Sequence, residues 1–208
     1  MLTLAILAGG KSQRMGRDKS LIPFLGEPLI SRVIARLAGL ASEVIIIAPK
    51  KEEFLSYGYK IYEDIIPGRG SLGGLYTSLA SATYGEVAVV GCDMPFVNDS
   101  LLSYQQKILI SDNYDLVVPS SPRGLEPLHS VYRKSTCFPV VKEAMDLGEQ
   151  RLISWYPRVN IRTLTQAEIL PFDQQGLVFL NINTPVELAT AEKLALLNDS
   201  GESSGKLT

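Results

Sequence analysis

Two cysteines, one histidine and one tryptophan are all that 208 residues contain of those types, and no apolar run nears the roughly 18 residues a membrane-crossing helix needs. Cys92 and Cys137 stand too far apart for a CxxC pair, which excludes a zinc ribbon or a thioredoxin-like motif; both are expected to be reduced. The lone His129 has no cysteine or acidic cluster beside it in sequence, so a hydrogen-bonded structural role is the better expectation, and its neighbour Ser130 lies in no GxSxG elbow. Positive charge is not in excess either. Twenty lysines and arginines against 22 acidic residues give a net charge of −2, which argues against a general nucleic-acid binder. The first apolar stretch breaks at Gly9 with no cleavage-site pattern, so no signal peptide is read and a cytoplasmic protein without membrane attachment is expected.

What is present is ordinary for a globular protein: 46% hydrophobic and 20% charged residues, in a length that suits one sizeable core. Short β-branched runs alternate with segments of helical period, the pattern of a βαβ protein. Strands are expected at 2–7, 43–48, 60–63, 86–91 and 115–119, with later ones at 128–132, 159–163 and 178–181. Leu29, Val33, Ile34 and Leu37 share one helical face, as do Leu72, Leu75, Leu79 and Ala82, then Phe138, Val141, Ala144 and Met145. Val186, Ala189, Lys193, Leu194 and Leu197 are expected to form a last helix starting at Pro185. The turn-rich residues 120–126 predict an extra strand outside the simple crossovers. Together these predict a single three-layer α/β/α domain with a mostly parallel sheet over residues 1–197, and a mobile polar tail over 198–208.

The strand LTLAIL runs into LAGGKSQRMGRDK, a segment with three glycines and four cations, Lys11, Arg14, Arg17 and Lys19. Glycine lets a backbone turn tightly and approach a ligand, and cations neutralise a polyphosphate, so this is read as a phosphate-holding loop; a plain strand-to-helix turn is the bland alternative. Gly10-Lys11-Ser12 copies the end of a P-loop, but that motif needs glycine where Ala5 stands, and the dinucleotide fingerprint GxGxxG is also missing. A second constellation, AVVGCDMP, ends a buried strand in Asp93. In an open α/β sheet ligands lie at the carboxyl ends of the strands, where one carboxylate suits Mg²⁺ completed by phosphate oxygens; an ordinary turn aspartate is equally common there.

Taken together, LAGGKSQRMGRDK, GCDMP and FLNINTP resemble the molybdenum cofactor guanylyltransferases, enzymes that join GMP to molybdopterin, over nearly the whole chain from Leu7. The resemblance implies a Rossmann-like nucleotidyltransferase fold, GTP and molybdopterin as substrates, Mg²⁺ as cofactor, and delivery or acceptor proteins for the finished cofactor. It implies that Leu7, Ala8, Gly9 and Gly10 contact GTP through the backbone, that Lys19 stabilises charge at the reacting phosphorus with Arg14 helping, and that Asp64 contacts the nucleotide. Asp93 becomes the Mg²⁺ ligand, and Asn181 and Asn183 serve the acceptor side or the metal. Arg123, Arg133 and Arg151 are candidates to grip the acceptor's phosphate, or else solvated surface cations.

One segment departs from the family: Gly70-Ser71-Leu72-Gly73-Gly74 stands where Gly-Pro-Leu-Ala-Gly is usual, in the part that approaches the base. A cytidylyltransferase of the same superfamily is the nearest rival, although its late motif is more often DIDTP than NINTP. A P-loop phosphotransferase is the rival from another class, and Ala5 counts against it.

Overall fold

The computed structural model describes residues 1–9 and 19–202. Its strands are β1 Leu2–Leu7, β2 Pro23–Phe24, β3 Glu27–Pro28, β4 Glu43–Ile47, β5 Lys60–Tyr62, β6 Glu86–Gly91, β7 Leu116–Ser121, β8 Gly124–Leu125, β9 His129–Arg133 and β10 Ile161–Leu164. The helices are α1 Leu29–Leu37, α2 Gly70–Ser81, α3 Asp99–Ser111, α4 Lys134–Asp146, the single turn α5 Gln166–Ile169, and α6 Pro185–Glu202. Gly10, Lys11, Arg14 and Arg17 of the first loop lie outside the described residues, as do residues 203–208.

All six residues of β1 are buried, and alternate ones point to opposite faces. Leu4 and Ile6 join Ile46 and Val90 against Val33 of α1 and Leu101 of α3. Ala5 and Leu7 join Ile45 and Val89 against Leu75 of α2 and Val141 of α4. Helices therefore cover both faces, which is why the central strands read as continuous apolar runs rather than alternating ones. The sheet order is β10-β7-β9-β6-β1-β4-β5, with β8 folded back on β7. β1 pairs in parallel with β4 and β6, β4 with β5, and β7 with β10. β9 runs antiparallel to both β6 and β7, so the sheet is mixed but mostly parallel. Register aligns Leu7 with Ile47 and Gly91, bringing three carboxyl ends to one rim. The opposite end is tied by Glu43, which accepts from Thr3 Oγ1, the Thr83 N–H and hydroxyl, and Lys60. Burial pushes this carboxyl up, but the four donors win and hold its pKa at about 2.

Two expectations need correction, and two features were not anticipated. Residues 178–181 are not a strand: the Asp173 carboxylate takes the N–H groups of Leu177 and Val178 at 2.8 and 3.1 Å, and Arg123 donates to the Phe179 carbonyl, so a ladder's partners are already spent. Their apolarity reflects burial of a loop, since Val178 and Phe179 pack into the core without pairing. Helix α3 was not read from the sequence, though Asn98 caps it by accepting from the Leu101 N–H at 2.8 Å. The inner face of α6 is Leu188, Ala191, Leu194 and Ala195 against Phe24, Phe96 and Ile182; Val186 and Leu197 are 75% and 68% exposed. Aliphatic residues occur on both sides of this helix, so periodicity alone did not select the buried one. Finally, α6 runs to Glu202, five residues into the stretch expected as a tail.

Candidate active site

The rim is assembled from segments far apart in sequence. Cys92 continues from β6 and donates its N–H to the Leu7 carbonyl at 3.1 Å, and the Ile182 N–H donates to the Asp93 carbonyl at 2.9 Å, which docks the loop before α6 onto the end of β6. Gly91 makes room for the carboxylate: a Cβ there would stand 2.8 Å from Asp93 Oδ1. Burial pushes the Asp93 pKa up, and the nearby Lys19 ammonium opposes it. Lys19 Nζ lies 3.6 Å from Asp93 Oδ2 and donates to Asn183 Oδ1 at 2.5 Å, with the two charged side chains only 20% and 23% exposed. Three of the expected site residues thus converge across 164 positions of sequence.

Asn183 is held from behind. Its backbone N–H donates to Glu187 Oε2 at 2.7 Å, while the Glu187 N–H donates to Thr184 Oγ1 at 3.2 Å. The Asn183 N–H, more than any other group, keeps the Glu187 carboxylate below its usual pKa. Glu187 was missed from the sequence, although Thr184-Pro185-Val186-Glu187 carries the S/T-x-x-E signature of a helix start.

Asp64 belongs to a neighbouring part of the rim, a small cavity shared with Leu7, Gly9, Pro49, Ser71 and Gly74. Burial raises the Asp64 pKa. Helix α2 begins at Gly70, whose φ of 55° suits glycine, and Gly74 brings the helix close to β1, since a Cβ there would sit 3.2 Å from the Leu7 side chain. The departure at Gly73 also has a local cause, because a Cβ would stand 2.9 Å from Arg69 Cβ. Ala8 differs from its expected role in one respect: its N–H is engaged with the Ile47 carbonyl at 2.8 Å and extends the sheet instead of facing a ligand. Asn181 lies in the same loop as Asn183 and is partly buried.

Among the arginines, Arg133 is structural: it donates to the carbonyls of Tyr114 and Leu109, so its guanidinium is committed to the fold. Arg123 stands beside the rim loop through Phe179 and lies 3.8 Å from Glu126, whereas Arg151 is exposed. His129 is structural as expected. It is fully buried, its Nε2 accepts the Asn98 N–H at 3.3 Å, and Phe179 packs edge-on against its ring. That acceptor role assigns the ring proton to Nδ1.

Burial holds the His129 pKa down at about 4 from 6.5. The unfolded chain then binds the extra proton first, so stability is full above pH 6.5, falls between 6.5 and 4, and levels off below. The span corresponds to about 3 kcal/mol. Denaturant titrations at pH 7 and pH 4.5 should show this loss in the parent and a smaller one in His129→Gln; equal losses in both would remove His129 as the cause.

No group of three or more metal-ligating side chains occurs among the described residues. The single Asp93 carboxylate with the Asn183 amide oxygen close by still fits a hard cation that draws the rest of its shell from phosphates and water, with the Lys19 ammonium held 3.6 Å from the carboxylate. No helix among the described residues is long and apolar enough to cross a membrane.

Residues 4–161 match the family model of the MobA-like NTP transferase domain. A protein of Pelotomaculum thermopropionicum named "Probable molybdenum cofactor guanylyltransferase" is 34% identical over 193 residues, covering 93% of each chain. "Molybdenum cofactor guanylyltransferase" of Desulfosudis oleivorans is 30% identical over 92% of this chain and 94% of its own. The crystal structure of molybdopterin-guanine dinucleotide biosynthesis protein A from Archaeoglobus fulgidus superposes with a TM-score of 0.81 at 26% identity, covering 93% of this chain and 98% of that one.

Proposed function

Since the chain belongs to the MobA-like NTP transferase family, we propose that it transfers GMP from GTP to molybdopterin, releasing pyrophosphate, at the rim where Lys19, Asp93 and Asn183 meet. The observation that carries this reading is the convergence of one carboxylate, one ammonium and one amide at the carboxyl ends of the parallel strands. Such a set lacks a protein nucleophile and needs none. An oxygen of the acceptor's phosphate forms the new bond to the α-phosphorus, and the bond to the β-phosphate bridging oxygen breaks with its electrons leaving on pyrophosphate. With a second phosphate pKa near about 6, the acceptor is already ionised, so no strong base is required. The protein's work is to hold two anions in line and offset their repulsion.

Lys19 supplies one fixed positive charge for that purpose, with Arg14 of the preceding loop as its helper. Mg²⁺ would be held by Asp93, with Asn183 and Asn181 beside it, and supplies charge neutralisation at the phosphates. Leu7, Gly9 and Gly10 approach the nucleotide along the backbone. Asp64, in the small cavity it shares with Leu7, Gly9 and Ser71, is the carboxylate set to contact the nucleotide, where it can accept hydrogen bonds but not donate them. The deciding experiment measures Mg²⁺-dependent pyrophosphate release with molybdopterin and GTP, CTP or ATP. Release with GTP well above the others is expected, and a clear preference for CTP would overturn the base assignment.

A further inference from the structure

We propose that Glu187 is a positioning residue that sets how closely Lys19 approaches Asp93, and thereby how readily a divalent cation takes the Asp93 carboxylate. The proposal deepens the nucleotidyl-transfer reading and rests on it. Its basis is a chain of contacts. Lys19 Nζ is drawn to Asn183 Oδ1 at 2.5 Å and stays 3.6 Å from Asp93 Oδ2, longer than the roughly 2.8 Å of a direct charge-assisted hydrogen bond. The amide of Asn183 therefore holds the ammonium off the carboxylate. Asn183 can do this because its backbone is fixed on both sides: Ile182 donates to the Asp93 carbonyl, and the Asn183 N–H itself donates to Glu187 Oε2 at 2.7 Å. Thr184 Oγ1 accepts the Glu187 N–H, which anchors the glutamate in the first turn of α6.

Without the Glu187 carboxylate the Asn183 N–H loses its acceptor, and the side-chain amide is no longer pinned over Lys19. The ammonium then closes onto Asp93 and covers the oxygen a cation must reach. Glu187 carries no role in bond making; it acts through Asn183 and Lys19. Its carboxylate stands at the surface, so its direct effect is confined to the hydrogen bond and to a screened attraction for Lys19.

The test uses the full chain as Glu187→Ala and Glu187→Gln. Mn²⁺ binding is titrated by the free-ion EPR signal, alongside the Mg²⁺ dependence of pyrophosphate release and thermal melting. Glutamine keeps an acceptor oxygen for the Asn183 N–H, so it should stay within about twofold of the parent. Alanine should raise the half-saturating metal concentration about five- to tenfold in both titrations, the effect of losing about 1 kcal/mol. In a Lys19→Ala background the Glu187→Ala effect on Mn²⁺ binding should vanish, because the glutamate acts through that lysine. A folded Glu187→Ala protein with unchanged Mn²⁺ binding, or one that only melts earlier, would reduce the residue to a helix cap and overturn the proposal. A parent protein that binds Mn²⁺ yet transfers no GMP would instead overturn the reaction.

Discussion

Replacing Asp93 by asparagine lowers metal-dependent GMP transfer by at least about a hundredfold, the loss expected when a charge that stabilises the transition state is removed, and leaves the fold intact. The two side chains have nearly the same shape, so the space left by Gly91 still accommodates the substitute. Burial works against the ionised carboxylate, which raises its pKa. The folded state therefore binds its proton more tightly than the unfolded state, and the Asp93 charge costs stability as pH rises through the unfolded pKa. Asparagine removes that cost while breaking the pair with Lys19, so melting should change little. Stability retained with activity lost marks a residue kept for chemistry. Pyrophosphate release and thermal melting of the same preparation provide the check, and near-normal turnover would end the metal role of Asp93.

The second large effect is expected from Lys19→Ala, with kcat/KM for GTP falling about a hundred- to a thousandfold, as for removal of a preorganised donor aimed at developing charge. Direct Mn²⁺ binding should hold or tighten, because the ammonium that stands 3.6 Å from Asp93 is gone. This opposite movement separates Lys19 from a general structural lysine, whose loss would weaken both. Lys19→Arg should restore little, since a planar guanidinium does not replace a compact charge seated on one amide oxygen. Unchanged steady-state kinetics would remove Lys19 from the reaction.

Where the sequence was legible, a local signal and a tertiary demand agreed. LTLAIL reads as a two-face-buried strand because helices cover both its sides, and GCDMP places Asp93 at the rim because the strand before it is parallel to its neighbour. Residues 178–181 misled because burial alone makes a loop apolar. Asp173, which takes the N–H groups of Leu177 and Val178, is a local signal, whereas Arg123, which takes the Phe179 carbonyl, lies 56 positions away where no local window reveals it. The inner face of α6 is open in the sequence for a related reason, since Phe24 and Phe96, which choose its side, come from elsewhere in the chain. Within the site, Lys19, Asp93 and Asn183 were each named separately, whereas their contact is a tertiary fact. Glu187 was legible in principle through Thr184, and Gly91 was not, because its role appears only once the Asp93 side chain folds back over it.

Antiparallel β9 bears on how the protein is made. It fills the gap between β6 and β7 yet follows both in the chain. On the ribosome, the nascent chain must wait with two open strand edges until residues 129–133 emerge, an exposure that invites pairing with other chains. The loop carrying Asn183 emerges later still, together with the start of the last helix. A prematurely terminated product can retain the strands around β1, but it lacks the amide that seats Lys19. Synthesis must therefore pass the start of α6 before the contact that completes the rim can form, so any fragment released earlier would leave Lys19 without its amide partner.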